Sequence, residues 1–164
     1  MTPPPCFAVD RTLGRLARWL RLLRFDTAYR SDLPGARLLT LAAREGRVLV
    51  TRDATLARAR TGVAIVHIAS DHFREQLREL DRRYPLGGID RREPRCAACN
   101  VLLEPVAGSA LPASVPEYVR RTQSDFRRCP RCRRIYWPAT HRTHMDAEIR
   151  ALALTLPGGV EPEP

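Results

Sequence analysis

The sequence predicts an α/β protein in which a domain built on a mainly parallel sheet is followed by a small metal-binding module. Three observations carry this. Through about residue 85, short apolar runs alternate with amphipathic helical patterns, as in a parallel sheet with crossover helices. Four of the five cysteines form two Cys-x-x-Cys pairs, Cys96/Cys99 and Cys129/Cys132. From Ile89 the composition shifts to arginine, proline and paired cysteine. The chain therefore divides into an α/β domain (1–90), a cysteine module (91–145), and a C-terminal helix with a loose tail (146–164).

Phe7-Ala8-Val9 reads as a short strand ending at Asp10. Leu13, Leu16, Ala17, Leu20 and Leu23 recur at helical spacing, with Arg15, Arg18, Arg21 and Arg24 on the other faces. Thr27-Ala28-Tyr29 is a candidate second strand, and Asp32 to Gly35 is turn-like. A helix follows from about Ala36 to Glu45, with Gly46 placed to end it in a left-handed cap, and Arg47 to Thr51 is the clearest strand. A short helix from Ala54 to Ala59 leads to Val63–Ile68, a strand of the buried type. Ser70-Asp71 opens a helix over Phe73–Arg83, striped by Leu77 and Leu80, and Pro85 with Gly87-Gly88 closes the domain.

A chain of 164 residues has room for one smaller core plus a module that needs outside help to fold. Its formal charge is +10, and all 28 basic residues are arginine. Such an excess suits a polyanionic partner, because guanidinium forks match phosphate. Between Arg91 and His144, 11 arginines face four acids, a formal +7, so most of the excess lies in the cysteine module. No stretch approaches the roughly 18 apolar residues of a membrane span. The start lacks the charged and apolar regions of a leader. A cytoplasmic, membrane-free protein is expected.

Each Cys-x-x-Cys pair can offer two thiolates from one tight turn, and two pairs close a tetrahedron with no position left for water. Cys96, Cys99, Cys129 and Cys132 are therefore the expected ligands of one structural Zn²⁺. The alternative, a redox Cys-x-x-Cys, requires a single pair at a helix start. The separation of Cys99 from Cys129 is long and calls for an inserted loop around Pro112–Pro116. His141 and His144 are spare ligands that four thiolates make unnecessary, and Cys6 reads as a small buried hydrophobe. Arg127, Arg128, Arg131, Arg133 and Arg134 stand beside Phe126, Tyr136 and Trp137. That composition suits phosphate contact and base stacking, while Tyr136 and Trp137 equally suit a cover over the zinc core.

Asp10, Asp53 and Asp71 each come at or just after the end of an expected strand, where an open parallel sheet forms its ligand crevice. Carboxylates gathered there repel one another unless a divalent cation neutralises them, the arrangement used in metal-assisted phosphodiester hydrolysis. Asp71 and Asp53 also suit plain helix caps. Asp10 is the hardest to explain that way, since an acid on a buried strand is costly without a partner.

Several stretches together resemble the Mut7-C family over about residues 6–142. They are Phe7-Ala8-Val9-Asp10-Arg11, Leu13-Gly14-Arg15-Leu16-Ala17-Arg18-Trp19-Leu20-Arg21, Thr51-Arg52-Asp53, Gln76-Leu77, Arg95-Cys96-x-x-Cys99-Asn100, and Cys129-Pro130-x-Cys132 with Ile135-Tyr136-Trp137 and His141. The resemblance implies a PIN-like, three-layer α/β ribonuclease domain fused to a zinc ribbon, with RNA as substrate and Mg²⁺ or Mn²⁺ as catalytic cofactor. It carries Asp10 and Asp53 over as metal-binding catalytic acids, and places Arg15, Arg18 and Arg52 beside the crevice against substrate phosphates. Arg128, Arg131, Arg133, Arg134, Tyr136, Trp137 and His141 are the RNA-contacting candidates of the ribbon. The family pattern has an acid three residues before the first leucine of the middle helix, and here that position is Gly35. Asp32 would have to reach in from the turn, with Asp71 a weaker candidate. Two other readings follow: an RNA-binding or ribosome-associated protein with a degenerate nuclease domain, and a PIN-type toxin.

Overall fold

The computed structural model describes residues 3–138 and 147–156. Its first half is a four-stranded parallel sheet, with β1 (Phe7–Val9), β2 (Thr27–Tyr29), β3 (Val48–Thr51) and β4 (Ile65–His67) in the order β2-β1-β3-β4. Four helices connect and cover it: α1 (Gly14–Leu22), α2 (Gly35–Glu45), α3 (Ala54–Ala57) and α4 (Phe73–Asp81). The strands are shorter than their apolar runs, most clearly β4 against Val63–Ile68, because only part of each run is hydrogen-bonded to a neighbour. A 3₁₀ turn, Arg11–Leu13, precedes α1, and Gly46 ends α2 at φ 61°, the left-handed cap.

Side chains alternate across the sheet and sort into two cores. Phe7, Val9, Val48 and Val50 face Leu16, Ala17 and Leu20 of α1 and Leu77 and Leu80 of α4. Ala8 and Leu49 face Leu38 and Ala42 of α2 on the other side. The chain leaves β1 for β2 at one side and returns through α2 to β3 at the other. The reversal of direction lies between β1 and β3, so their carboxyl ends form the crevice of this sheet.

The cysteine module holds a three-stranded antiparallel sheet, with β5 (Glu104–Pro105), β6 (Arg127–Arg128) and β7 (Ile135–Tyr136) in sequence order. The inserted segment is more than a loop. It carries α5 (Glu117–Thr122), and Leu111, Val115, Val119 and Phe126 bury one another as a separate small core.

Buried polar contacts join the two parts. Arg92 is 9% exposed, lies 4.0 Å from the Phe25 ring, and donates to the carbonyls of Leu23, Leu86 and Gly87. Arg21, grouped by periodicity with the solvated arginines of α1, is in fact 7% exposed and donates to the carbonyls of Thr27, Ala97 and Ala98. These contacts, with those of Asp26, lie at the amino end of the sheet. Residues 147–152 form a helix that returns Leu152 to the first core, and Thr155 then bonds Asp81 and Gly87. Asp146, the tail 157–164, His141 and His144 lie outside the described residues.

Candidate functional site

Asp10 follows β1 directly, and its side chain is enclosed by the crevice it helps to form, 7% exposed. Oδ1 accepts from the Thr12 amide (2.7 Å) and hydroxyl (2.6 Å). Oδ2 accepts from the Thr51 hydroxyl (2.6 Å) and the Arg52 amide (2.8 Å). Four donors fill the roughly four lone-pair sites of a carboxylate. Burial pushes this carboxyl up, but the Thr12 and Thr51 hydroxyls and the backbone amides outweigh it and hold Asp10 below the usual aspartate value. The cost of burying this acid is thus met by protein donors.

Asp53 follows β3 at the adjacent strand end. Its Oδ1 accepts from the amides of Thr55 (2.7 Å) and Leu56 (3.2 Å), capping α3. Its exposed side chain leaves Oδ2 without a partner among the described residues. The Thr51 hydroxyl joins the two acids: it donates to Asp10 and accepts from the Asp53 amide at 3.0 Å. Thr51 stands in the stretch Thr51-Arg52-Asp53, but the sequence pattern assigns it no role of its own.

The other acids are engaged elsewhere. Asp32 is held by both arms of Arg30, at 3.1 and 2.7 Å, and its side chain is 66% exposed. The Arg30 hydrogen bonds lower its pKa. Asp71 does not cap α4. The residue that precedes that helix is His72, whose amide bonds the Ser70 hydroxyl, and Asp71 instead pairs with Arg52. Gly35 begins α2 against α3, where an added Cβ would lie 2.4 Å from Leu56 Cδ1. The tip of the half-buried Leu56 side chain would have to shift to admit an acid at that position. Among the described residues, no three carboxylates converge as metal ligands.

The cysteines do converge. The sulfurs of Cys96, Cys99, Cys129 and Cys132 all lie within 4.8 Å of one another. Cys96 and Cys132 are 3.7 Å apart. A zinc tetrahedron with Zn–S near 2.3 Å has S···S edges of about 3.8 Å. Two matching turns make the cluster. The Cys99 amide bonds Cys96 Sγ and the Cys132 amide bonds Cys129 Sγ, each at 3.3 Å. Asn100 and Arg133 close the two turns at φ 68° and 66°, with amides bonded to the carbonyls of Cys96 and Cys129. Burial pushes the thiols of Cys99 and Cys129 up, Cys99 to about 12, and neighbouring sulfurs raise them further. Cys96 goes the other way, to about 6: burial opposes its ionisation, but the Tyr136 hydroxyl at 3.1 Å and backbone amides outweigh it. Four thiolates at this spacing require a cation between them, and the donor set fits zinc. Cys6 is half-buried at the foot of β1 and takes no part.

The first turn also grips the α/β domain. Asn100 Oδ1 accepts from the Thr27 amide (2.9 Å), and Asn100 Nδ2 donates to Asp26 (2.8 Å). Arg47 and Arg95 pair with the same Asp26 at 2.6 and 3.6 Å. Burial raises the Asp26 carboxyl, but hydrogen bonds from Arg47 and Asn100 bring it below the usual value. Because Thr27 opens β2, the ribbon docks at the amino end of the sheet, away from Asp10 and Asp53.

The arginine candidates separate into groups. Arg15 is exposed and lies 3.7 Å over the Phe73 ring, which also stacks on Trp19. Arg52 is committed to Asp71. Arg18, Arg133, Arg134, Tyr136 and Trp137 line one cleft between α1 and the ribbon. Arg131 is exposed beside Cys132, and Arg128 has a buried Nε without a hydrogen-bond partner among the described residues. Tyr136, bonded to Cys96, covers the sulfurs, and Trp137 packs on the small core of the inserted segment.

No described helix is long and apolar enough to cross a membrane. A search of curated proteins and a search of solved structures each found no match. The model of the Mut7-C RNAse domain matches residues 5–149, most of the chain, and the protein belongs to that family.

Proposed function

We propose that the protein is a metal-dependent ribonuclease that hydrolyses RNA phosphodiester bonds at Asp10 and Asp53. The family's description as an RNAse domain supports a ribonuclease-like function. The observation that carries the assignment is the pair of acids at adjacent strand ends, coupled through the Thr51 hydroxyl at the switch point of the sheet. Mg²⁺ or Mn²⁺ suits this pair, since such ions need only one or two protein carboxylates and keep several waters. Asp53 Oδ2 would be the first ligand, and Asp10 would join it when a threonine hydroxyl rotates away. A cation held there activates water and neutralises charge on phosphoryl oxygens. Asp53 positions that ligand oxygen by fixing its other oxygen on α3. The Arg-rich ribbon, folded around a structural zinc, contributes RNA binding.

Asp53→Asn gives the clean test, because asparagine caps a helix as well as aspartate does. Wild type should cleave labelled RNA with Mn²⁺ and the variant should not, at equal stability. Equal cleavage by both would remove Asp53 from the chemistry. A second reading, RNA binding without cleavage, is favoured by one specific observation: Asp10 is saturated by protein donors. Salt-sensitive RNA binding with no cleavage under either ion would establish it.

A further inference from the structure

We infer that the cleft between α1 and the ribbon is a binding site for unpaired RNA bases, an anchor for single-stranded RNA separate from the carboxylates. This rests on the reading of RNA as the ligand and adds which form of RNA is held and where. The cleft has a volume of about 790 Å³, and both sides of the interface build it. Arg18, Trp19 and Leu22 come from α1, Ala97 and Ala98 from the first cysteine turn, and Arg133 to Trp137 from the second turn and β7. That volume falls among pockets of roughly 300–1,000 Å³ that enclose small organic groups, so a nucleotide fits within it.

The chemistry of the walls selects the occupant. Trp19, Tyr136 and Trp137 offer aromatic surface, and the indole Nε1 of Trp137 is buried without a hydrogen-bond partner among the described residues. Arg18, Arg133 and Arg134 are exposed at the same cleft. The acid on the lining, Glu148, is held by both arms of Arg74 at 2.9 and 2.7 Å, so its charge is compensated. Aromatic walls with guanidinium groups that no acid pairs with among the described residues take a planar group attached to an anion. Bases of a duplex are stacked on each other and cannot enter, whereas unpaired bases can.

The position is useful as well. α1 begins four residues after Asp10 and runs toward the ribbon, rising about 1.5 Å per residue. Arg15, Phe73 and Trp19 form a continuous row along it. A strand anchored in the cleft is led along that row toward the crevice.

The two tryptophans of the chain, Trp19 and Trp137, both line this cleft, so intrinsic fluorescence reports on it directly. Zinc-loaded full-length protein, without divalent catalytic ions, is titrated with a labelled oligouridylate and with the same strand paired to oligoadenylate. Tryptophan emission should be quenched by the single strand, which should bind at least about tenfold more tightly than the duplex. R18E/R134E should weaken single-strand binding about tenfold or more beyond R44E/R83E, which makes the same charge change at exposed positions elsewhere. RNA binding with unchanged emission, equal affinity for duplex, or equal losses in the two double variants would overturn the cleft while leaving an RNA ligand in place. Failure to bind either RNA would overturn both. If R18E/R134E does not fold, the wild-type quenching and strand preference decide.

Discussion

Asn100 is the residue on which the joint between ribbon and sheet turns, and its replacement by alanine should cost more than its half-exposed position suggests. Three losses add. The Thr27 amide, on a residue with 0% exposure, loses its acceptor, at about 1–3 kcal/mol for a buried unsatisfied donor. The bond to Asp26 goes, worth about 1 kcal/mol after discounting for its partial exposure. Alanine must also adopt the φ of 68° that asparagine tolerates, at about 1–2 kcal/mol. The total of about 3–6 kcal/mol is a large fraction of the roughly 5–15 kcal/mol that holds a typical domain together. Urea denaturation of the zinc-loaded protein, followed by circular dichroism, measures it. Asn100→Gly separates the terms: it removes the strain and should recover about 1 kcal/mol relative to alanine. Asn100→Asp keeps the acceptor for Thr27 but sets a second carboxylate against Asp26, so its deficit should grow as pH rises through the carboxylate range. If alanine and glycine both cost less than about 1 kcal/mol, the side chain does not bridge the two parts.

Four further outcomes follow from the same geometry. Asp10 is held below the usual aspartate pKa of about 3.9, so its contribution to stability is complete above that value and is lost as pH falls through the lower folded value; Asp10→Asn should flatten an acid denaturation curve there. The same variant turns an amide N–H₂ toward fixed backbone donors, and its urea midpoint should report a cost of about 1–3 kcal/mol even with no RNA present. Chelating zinc should lower the thermal midpoint of the α/β domain as well as the ribbon, because Arg21 and Asn100 bond the first cysteine turn to β2; circular dichroism with and without a chelator checks this. Gly35→Asp should cost less than about 1 kcal/mol, because only the tip of the half-buried Leu56 side chain has to shift, and adding Leu56→Ala should raise Mn²⁺-dependent cleavage, measured on labelled RNA.

The fold was legible where side-chain periodicity maps onto burial. Phe7, Val9, Leu16 and Leu20 all enter one core, and Gly46 caps α2, because these positions answer to local pattern and backbone sterics alone. The cysteine spacing was legible for a similar reason: ligand geometry is imposed by the turn. The interface was not. Arg21 shares the composition and spacing of Arg15 and Arg18, and only the arrival of the Ala97 and Ala98 carbonyls distinguishes it. Arg92 is buried against carbonyls and an aromatic ring, without a carboxylate to advertise it, and burial lowers its pKa to about 10. Asp71 looked like a cap from its place before a helix, but Arg52 on the adjacent strand end competes for it. In each case the deciding partner is distant in sequence.

The docking of the ribbon bears on how the parts divide the work. A zinc module placed at the crevice could contribute to cleavage directly, but this one holds the amino end of the sheet, through Asp26 and Thr27. Its four sulfurs face one another at the opposite end from Asp10. What connects the two ends is α1, whose first turn follows Asp10 and whose middle forms a wall of the aromatic cleft. Arg21 fixes the position of that helix against both β2 and the cysteine turn. Arg21→Lys should therefore be informative. Lysine keeps the charge but replaces the planar fork, which here serves three carbonyls, with one ammonium, and it leaves buried acceptors unmet. The expected result is a lower urea midpoint together with weaker single-strand binding, without any change at the cleft's own residues. Loss of stability with binding fully retained at saturating zinc would show that α1 does not need this clamp to keep the cleft in shape.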